Sequence, residues 1–411
     1  MHILITAVGK RTEHWGRLFA ALSDRPDVEL TVLAADVSRL AEQELTRLAA
    51  GRERFRFHLA PHLLSEDRTG HMASVVFRPG SGRLVRNEQP DVIHIIGEAA
   101  YLSTRQAIRL RNRYWPHVPI TLYAAQNVVT RFPFPFPLLE QHAFRTITHA
   151  LPITPTALQV LRTKGYHGPA TIVPLGVDTD VFQPAPPPQP GPFTVGFVGR
   201  LEPHKGISAL LRARELLDCR LLVVGDGSLR GEIEQAAVRY PDRIELREWA
   251  DHAELPSLLA RMDALALPSM EVIQRNLVPW IGIPLREQFG RVLVEAMACG
   301  IPVVGSAIGD IPYVIGSAGL VFPAGDAPAL ADRLARIRDN PDQARQLAAA
   351  GRRRASAEFS WRHIADTLCC TWRQLTDDAA AARRPMVPSS SPAHAELRAV
   401  GGSPELNERI Q

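Results

Sequence analysis

Residues 285–306 read LREQFGRVLVEAMACGIPVVGS. From Val292 to Cys299 the chain is apolar except for one carboxylate, Glu295. Gly300-Ile301-Pro302 then stops a helix, and PVVGS resumes as a buried strand. Glu295 therefore sits mid-helix among buried neighbours, where a lone charge is costly unless something pairs with it. A second carboxylate, Glu287, stands eight residues earlier. With Gln288, Phe289 and Gly290 it forms the loop above the helix N-terminus, where backbone amides lack intrahelical partners.

The same strand–helix alternation runs outward in both directions. In the first half, short apolar runs at HILITA, ELTVLAA, DVIHII, PITLYAA and ALPIT are separated by helical patterns such as WGRLFAALS and YLSTRQAIRLRNR. The second half repeats the logic with FTVGFVG, RLLVVG, RIELRE, ALALP, PVVGS and GLVF. Strands separated by helices predict parallel sheets covered on both faces. Between the halves lies QPAPPPQPGP (183–192), a stiff, extended connector. The expected organisation is a doubly wound domain over 1–183, a linker over 184–192 and a second doubly wound domain over 193–358. A C-terminal helix over 359–376 packs back on the first domain, and an Ala-, Pro- and Ser-rich disordered tail covers 377–411. Two such domains facing each other make a cleft suited to a two-substrate transferase closed by hinge motion.

Composition narrows the class. The chain has 411 residues, 45% of them hydrophobic and 22% charged, as in globular proteins of two domains. Its four cysteines show no metal spacing and fit a reducing cytoplasm rather than a disulfide framework. No apolar run reaches membrane-spanning length, and MHILITA reads as a buried strand rather than a leader. Residues 1–183 hold 21 basic and 16 acidic side chains, the remainder 26 and 27. The mildly basic first half suits an anionic acceptor or the inner membrane face. No basic block interleaved with aromatics points to nucleic acid.

Chemistry concentrates after the linker. GFVGRLEPHKGI (196–207) leaves a strand and opens a helix, so Gly199 permits close backbone approach while Arg200 and Lys205 stand where a diphosphate binds. The spacing fits neither a dinucleotide fingerprint nor a P-loop. VVGDGSLRGEI (223–233) reads as a structural turn with an N-cap. A sugar nucleotide fits both carboxylates of the 285–306 stretch. Its ribose hydroxyls can donate to Glu295 and its sugar hydroxyls to Glu287, with the diphosphate over the helix N-terminus.

Glu287-Gln288-Phe289-Gly290, followed by Arg291 and Glu295-Ala296-Met297-Ala298-Cys299-Gly300, resembles the E-x7-E motif of the family-4 retaining glycosyltransferases. GRLEPHKG, LVVGDGSLR and GLVFPAGD resemble further runs of that family. The resemblance covers roughly 170–375 and reaches the first half more weakly. It implies the GT-B fold of two facing Rossmann-like domains, and front-face transfer from a nucleotide-diphosphate sugar to an acceptor hydroxyl. Arg200, Lys205 and Glu287 would be catalytic. Gly199, Phe289, Gly290, Arg291 and Glu295 would join them in binding the donor. It implies no metal and no cofactor; Asp178-Thr179-Asp180 reads as a turn rather than a metal site. The acceptor would be a sugar, a lipid or a small molecule.

The first half departs from the family pattern. Only Gly9 and Gly16 stand where a Gly-Gly loop is common, and Ile96 replaces the second His of a His-x-His run, leaving His94 and Glu98. Gly9, Gly16, His94, Glu98 and Asn127 are candidate contacts to acceptor or donor sugar, with His94 equally readable as a buried strand histidine and Asn127 as a helix cap, and with Arg11, Arg17 and Arg131 attracting an anionic acceptor. RFPFPFPLLEQHAF (131–144) reads as an aromatic lip or a packed loop, and 271–284 as an insertion over the donor site. The rival readings are a non-catalytic sugar-nucleotide-binding protein and an epimerase or phosphorylase of the same fold.

Overall fold

The computed structural model describes residues 1–65, 75–184, 191–249, 252–275 and 282–383. Strand β1 (His2–Val8) shows how the first sheet forms. Ile3 and Ile5 point to one face and Leu4 to the other, and all are buried because helices cover both faces. With β2 (Glu29–Ala35), β3 (Phe55–Leu59), β6 (Val92–Ile96), β7 (Ile120–Ala124) and β8 (His149–Pro152), it builds a six-stranded parallel sheet of order β3-β2-β1-β6-β7-β8. The short strands β4 (His62–Leu64) and β5 (Val76–Phe77) pair separately.

The second sheet repeats this order. Strands β9 (Thr194–Val198), β10 (Arg220–Val224), β11 (Ile244–Arg247), β12 (Ala264–Leu267), β15 (Val303–Ser306) and β16 (Leu320–Phe322) run β11-β10-β9-β12-β15-β16, all parallel. In such a sheet the order reverses beside the first strand, and ligands bind past the carboxyl ends of the strands there. The two crevices therefore open beyond Val8 and Ile96 in one sheet, and beyond Val198 and Leu267 in the other. The expected insertion over 271–284 is a hairpin of β13 (Val272–Arg275) and β14 (Gly282–Leu285); residues 276–281 lie outside the described residues.

Two crossings join the units. The proline-rich connector is described only at 183–184 and 191–192, so most of the linker lies outside the described residues. The second crossing is a strand-like exchange in which the Val177 amide donates to the Phe359 carbonyl at 2.7 Å and the Trp361 amide to the Val177 carbonyl at 3.2 Å. The final helix, Trp361–Arg383, then packs on the first sheet. Trp372 is fully buried; its indole N–H donates to Thr121 Oγ1 at 3.2 Å, and its ring lies 5.3 Å from that of His94. Ion pairs Arg25–Asp366 and Arg373–Asp27, both 2.5 Å, flank it.

The expectation of a disordered tail from 377 is corrected at its start. Residues 377–383 continue the helix, because the Ala-rich run there carries the highest intrinsic helix propensity. Residues 384–411 lie outside the described residues. Among the described residues, no helix is long and apolar enough to cross a membrane.

Trp372 seals the helix to the first sheet, so Trp372→Ala should destabilise the protein by about 3–5 kcal/mol. Urea unfolding at neutral pH measures this; a loss below about 1 kcal/mol would mean the final helix is only loosely docked.

Candidate functional site

Past β9 the chain turns through Pro203–Lys205 into the Ile207–Leu216 helix. Gly206 makes the turn at φ +72°, and a Cβ there would meet the Pro268 carbonyl oxygen at 1.8 Å. The Met270 amide donates to the His204 carbonyl at 2.8 Å, stitching this turn to the loop after β12. Two side chains thereby converge on Glu287: Lys205 Nζ lies 2.5 Å from Oε2, and Ser269 Oγ donates to the same oxygen at 3.2 Å. Glu287 and Lys205 are both largely shielded from solvent. Burial works to raise the Glu287 carboxyl, but the charge and hydrogen bond of Lys205, with Ser269 and His204, outweigh it and hold the group below the usual carboxylate range.

Glu295 lies one turn into the Arg291–Ala298 helix, which starts from Gly290 at φ +77°. A Cβ on Gly290 would press on Leu267 Cδ2 at 2.8 Å, so the loop approaches β12 as only glycine allows. Glu295 is 5% exposed, and its Oε1 accepts from Arg291 Nε at 3.0 Å. His252 Nδ1 lies 4.0 Å from the same oxygen. Burial depresses the His252 imidazole, with Arg291 and Arg17 acting the same way against the opposing pull of Glu295 and Asp178. The partner of the buried carboxylate is thus a neighbour on its own helix. Gly199 follows β9, its amide donating to the Val224 carbonyl at 3.0 Å, and Arg200 is exposed at that strand end.

The first domain meets this site through Asn127. Its Nδ2 donates to the Glu287 carbonyl oxygen at 2.7 Å, while Arg286 donates to the Asn127 carbonyl oxygen at 2.8 Å. A further crossing is Thr156 N to Asp310 Oδ1 at 3.3 Å. Behind Asn127, Glu98 Oε1 accepts from the Ala125 and Gln126 amides at 2.8 and 2.9 Å. Lys164 bridges Gln126 Oε1 at 2.7 Å and Glu140 at 2.8 Å. Burial lifts the Glu98 carboxyl to about 7, against the opposing pull of those amides and of Lys164. Glu98 therefore shapes the turn that presents Asn127.

Several expectations are corrected. His94 points into the core: it is fully buried, bonds Thr121 Oγ1 through Nδ1 at 2.8 Å, and burial pushes its imidazole down to about 3. It sits within β6, short of the strand end where the crevice opens. The Phe289 side chain is also core, edge-on to Phe359 at 5.8 Å, so only its backbone can serve a ligand. Gly16 opens the Gly16–Ser23 helix and faces Glu44, whose Cγ would lie 2.8 Å from an added Cβ. It is a packing glycine rather than an acceptor contact. Gly9 does end β1 at the crevice, but its carbonyl is engaged by Thr12. Arg17 pairs with Asp178 Oδ2 at 3.1 Å, and the Arg11 side chain lies outside the described residues. The other Asp178 oxygen accepts from the Asp180 and Val181 amides, closing a local turn over the D-x-D. Ser269, His252, His204 and Asp310 were not singled out in the sequence. Ser269 alone carried a signal, as a polar residue directly after a buried strand beside the point where strand order reverses.

Residues 178–354 match the family model for glycosyl transferases group 1. The MMP alpha-(1->4)-mannosyltransferase of Mycolicibacterium hassiacum is 34% identical over 204 residues, 47% of this chain and 46% of that protein. The GDP-mannose-dependent monoacylated alpha-(1-6)-phosphatidylinositol monomannoside mannosyltransferase of Corynebacterium glutamicum is 28% identical over 221 residues, 50% of this chain and 56% of that protein. The chain thus spans about half the length of the curated relatives it matches. Among solved structures, Anabaena HepE in complex with UDP-glucose superposes with a TM-score of 0.65 at 16% identity, over 91% of this chain and all of that one. That likeness carries the fold, which is GT-B.

The carboxyl of Glu287 is held low, so its pairing contributes stability above an unfolded pKa of about 4.3 and loses it as pH falls through the lower folded value. Lys205→Met should cost about 3–5 kcal/mol near neutral pH by stranding the carboxylate. The deficit should shrink as pH drops below about 4.3 and Glu287 protonates. Urea titrations of both proteins across that range test this; a deficit constant with pH would assign the loss to packing instead.

Proposed function

From a chain whose residues 178–354 match the family model for glycosyl transferases group 1, we propose a retaining, metal-independent glycosyltransferase that moves a sugar from a nucleotide-diphosphate donor to an acceptor hydroxyl. The observation that carries this reading is the placement of both E-x7-E carboxylates. Glu287 and Glu295 lie at one end of the second sheet, each beside a cation, Lys205 and Arg291, with exposed Arg200 at the neighbouring strand end. A diphosphate there meets two guanidinium groups and an ammonium, and its sugar and ribose hydroxyls find two carboxylate acceptors.

In the mechanism this supports, Glu287 orients the donor sugar while Lys205 and Arg200 stabilise charge building on the departing diphosphate. The acceptor hydroxyl attacks the anomeric carbon from the face the diphosphate leaves. Its proton passes to a phosphate oxygen of that leaving group, so no protein base is required. Glu295 holds the ribose. Nucleotide-sugar binding by HepE is in keeping with this donor class, and acceptor choice falls to the first domain.

The direct test is to incubate the protein with UDP-, GDP-, ADP- and dTDP-sugars and an acceptor panel, and to read nucleoside-diphosphate release and product anomer by NMR. Release coupled to a product of unchanged anomeric configuration is expected, and EDTA should leave the rate intact. An inverted product, or donor binding without turnover, overturns the reading. Glu295→Gln should weaken donor binding by about 1.5–3 kcal/mol in calorimetry. Arg200→Ala should lower kcat roughly 100-fold, with a smaller effect on donor affinity. An effect confined to KM would make Arg200 a ground-state contact only.

A further inference from the structure

Two residues beyond Asn127 the chain leaves the cleft and exposes apolar side chains. Phe134 is 81% exposed, Leu138 56% and Val129 45%, on the loop and first turn of the Phe136–Thr146 helix. Phe132 and Phe136 pack together at 5.8 Å beneath them, and Lys164 Nζ lies 5.4 Å from the Phe132 ring, so the exposed side chains stand on a fixed base. They are hydrophobic tips on a braced segment.

Cations lie on the same segment and on the helix packed against it. Residues 99–145 contain six arginines and one carboxylate, Glu140, which Lys164 already neutralises at 2.8 Å. The Leu102–Tyr114 helix packs beside the Phe136–Thr146 helix and carries no acidic residue. Arg105, Arg109 and Arg145 gather around His142, whose imidazole is depressed by burial and by those three charges. With Arg131 they form no ion pair among the described residues. Unpaired guanidinium groups around a projecting Phe and Leu fit a surface that is apolar within and anionic at its rim.

We propose that the face formed by Val129, Phe134, Leu138 and the arginines 105, 109, 131 and 145 docks the protein on an anionic bilayer. Phe134 and Leu138 enter the acyl boundary while the arginines meet lipid phosphates. A protein partner fits less well: three separated apolar tips on a segment whose four arginines form no ion pair among the described residues offer little area for a packed interface core, whereas that excess positive charge matches an anionic membrane. The position has a consequence. The loop that reaches the bilayer is continuous with Asn127, which touches the Glu287 carbonyl, so the docked face holds the cleft mouth near the membrane. The docking inference does not rest on glycosyl transfer, and its test uses no donor.

Co-sedimentation with phosphatidylcholine vesicles, with or without roughly one-third phosphatidylglycerol, provides that test. The full chain should bind the anionic vesicles at about 0.1 M salt and be released as salt screens the arginines. It should bind neutral vesicles at least tenfold more weakly. Phe134→Ser with Leu138→Ser, and separately Arg109→Glu with Arg145→Glu, should each weaken binding at least tenfold. These positions are on the surface, so circular dichroism and Tm should match the parent. Arg352→Glu with Arg353→Glu, exposed on the other domain, should leave binding within twofold. No binding to anionic vesicles, including capture of an oligonucleotide in their place, overturns the proposal. So does parent-like binding by either face variant, or an equal loss in the Arg352/Arg353 control.

Discussion

The buried pair of Lys205 and Glu287 is the interaction on which the cleft depends. An ion pair taken out of water is stable only when both charges keep close partners. Lys205 is fixed by the Gly206 turn against Pro268, Ser269 by the same loop, and Glu287 by its distance from both. Moving either Lys205 or Glu287 alone strands a charge. The pair therefore locks three loops, those after β9 and β12 and the one ahead of the Arg291–Ala298 helix, into one rigid unit. That unit presents the Glu287 carbonyl to Asn127, and the domains meet there. Electrostatics in one domain thus sets the register between two.

Glu295 works differently. Its cation lies on the same helix, one turn earlier, and both side chains reach the same side, as i,i+4 spacing requires. Only one of its carboxylate oxygens is engaged by Arg291. In the proposed donor complex a diol would add hydrogen bonds to the carboxylate without displacing the arginine. Glu287 is already crowded by two donors on one oxygen. In the proposed reaction a donor-sugar hydroxyl at Glu287 would compete with or supplement Lys205, tying sugar binding to the position of that cation.

Much of this was legible in the sequence because burial on both faces writes a strong pattern. The eleven apolar runs all became strands, and the E-x7-E spacing placed both carboxylates correctly at one sheet end. The missed element in the first sheet is β3, FRFHL, whose pattern mixes buried Phe55 with half-exposed Arg56 and His58. An edge strand is covered on fewer sides, so its sequence is less apolar. His94 stayed ambiguous for the opposite reason. A polar residue in a buried strand looks functional, but here Thr121 satisfies one nitrogen and Trp372, 278 positions later in the chain, closes over the ring. No local pattern reports a contact supplied by a helix that returns from the other domain.

That returning helix also bears on the 9–16 segment, which lacks the Gly-Gly loop expected from the resemblance. Trp15, at the end of the turn after β1, stacks edge-on against Tyr123 at 5.0 Å and Trp361 at 6.3 Å. The Gly9–Gly16 segment is therefore held by aromatic packing and by the Thr12 bonds to Gly9, where a Gly-Gly loop would leave backbone amides open to a ligand. A loop closed in this way cannot offer the same cradle, so the polar groups at the first crevice come instead from the far end of β7. Glu98 holds the 125–127 turn by its amides, Lys164 holds Gln126, and Asn127 is left to reach across the cleft. The Asn127 contact to the second domain thus lies beyond β7, two strands from β1 in the sheet, on the chain segment that leads to Phe134.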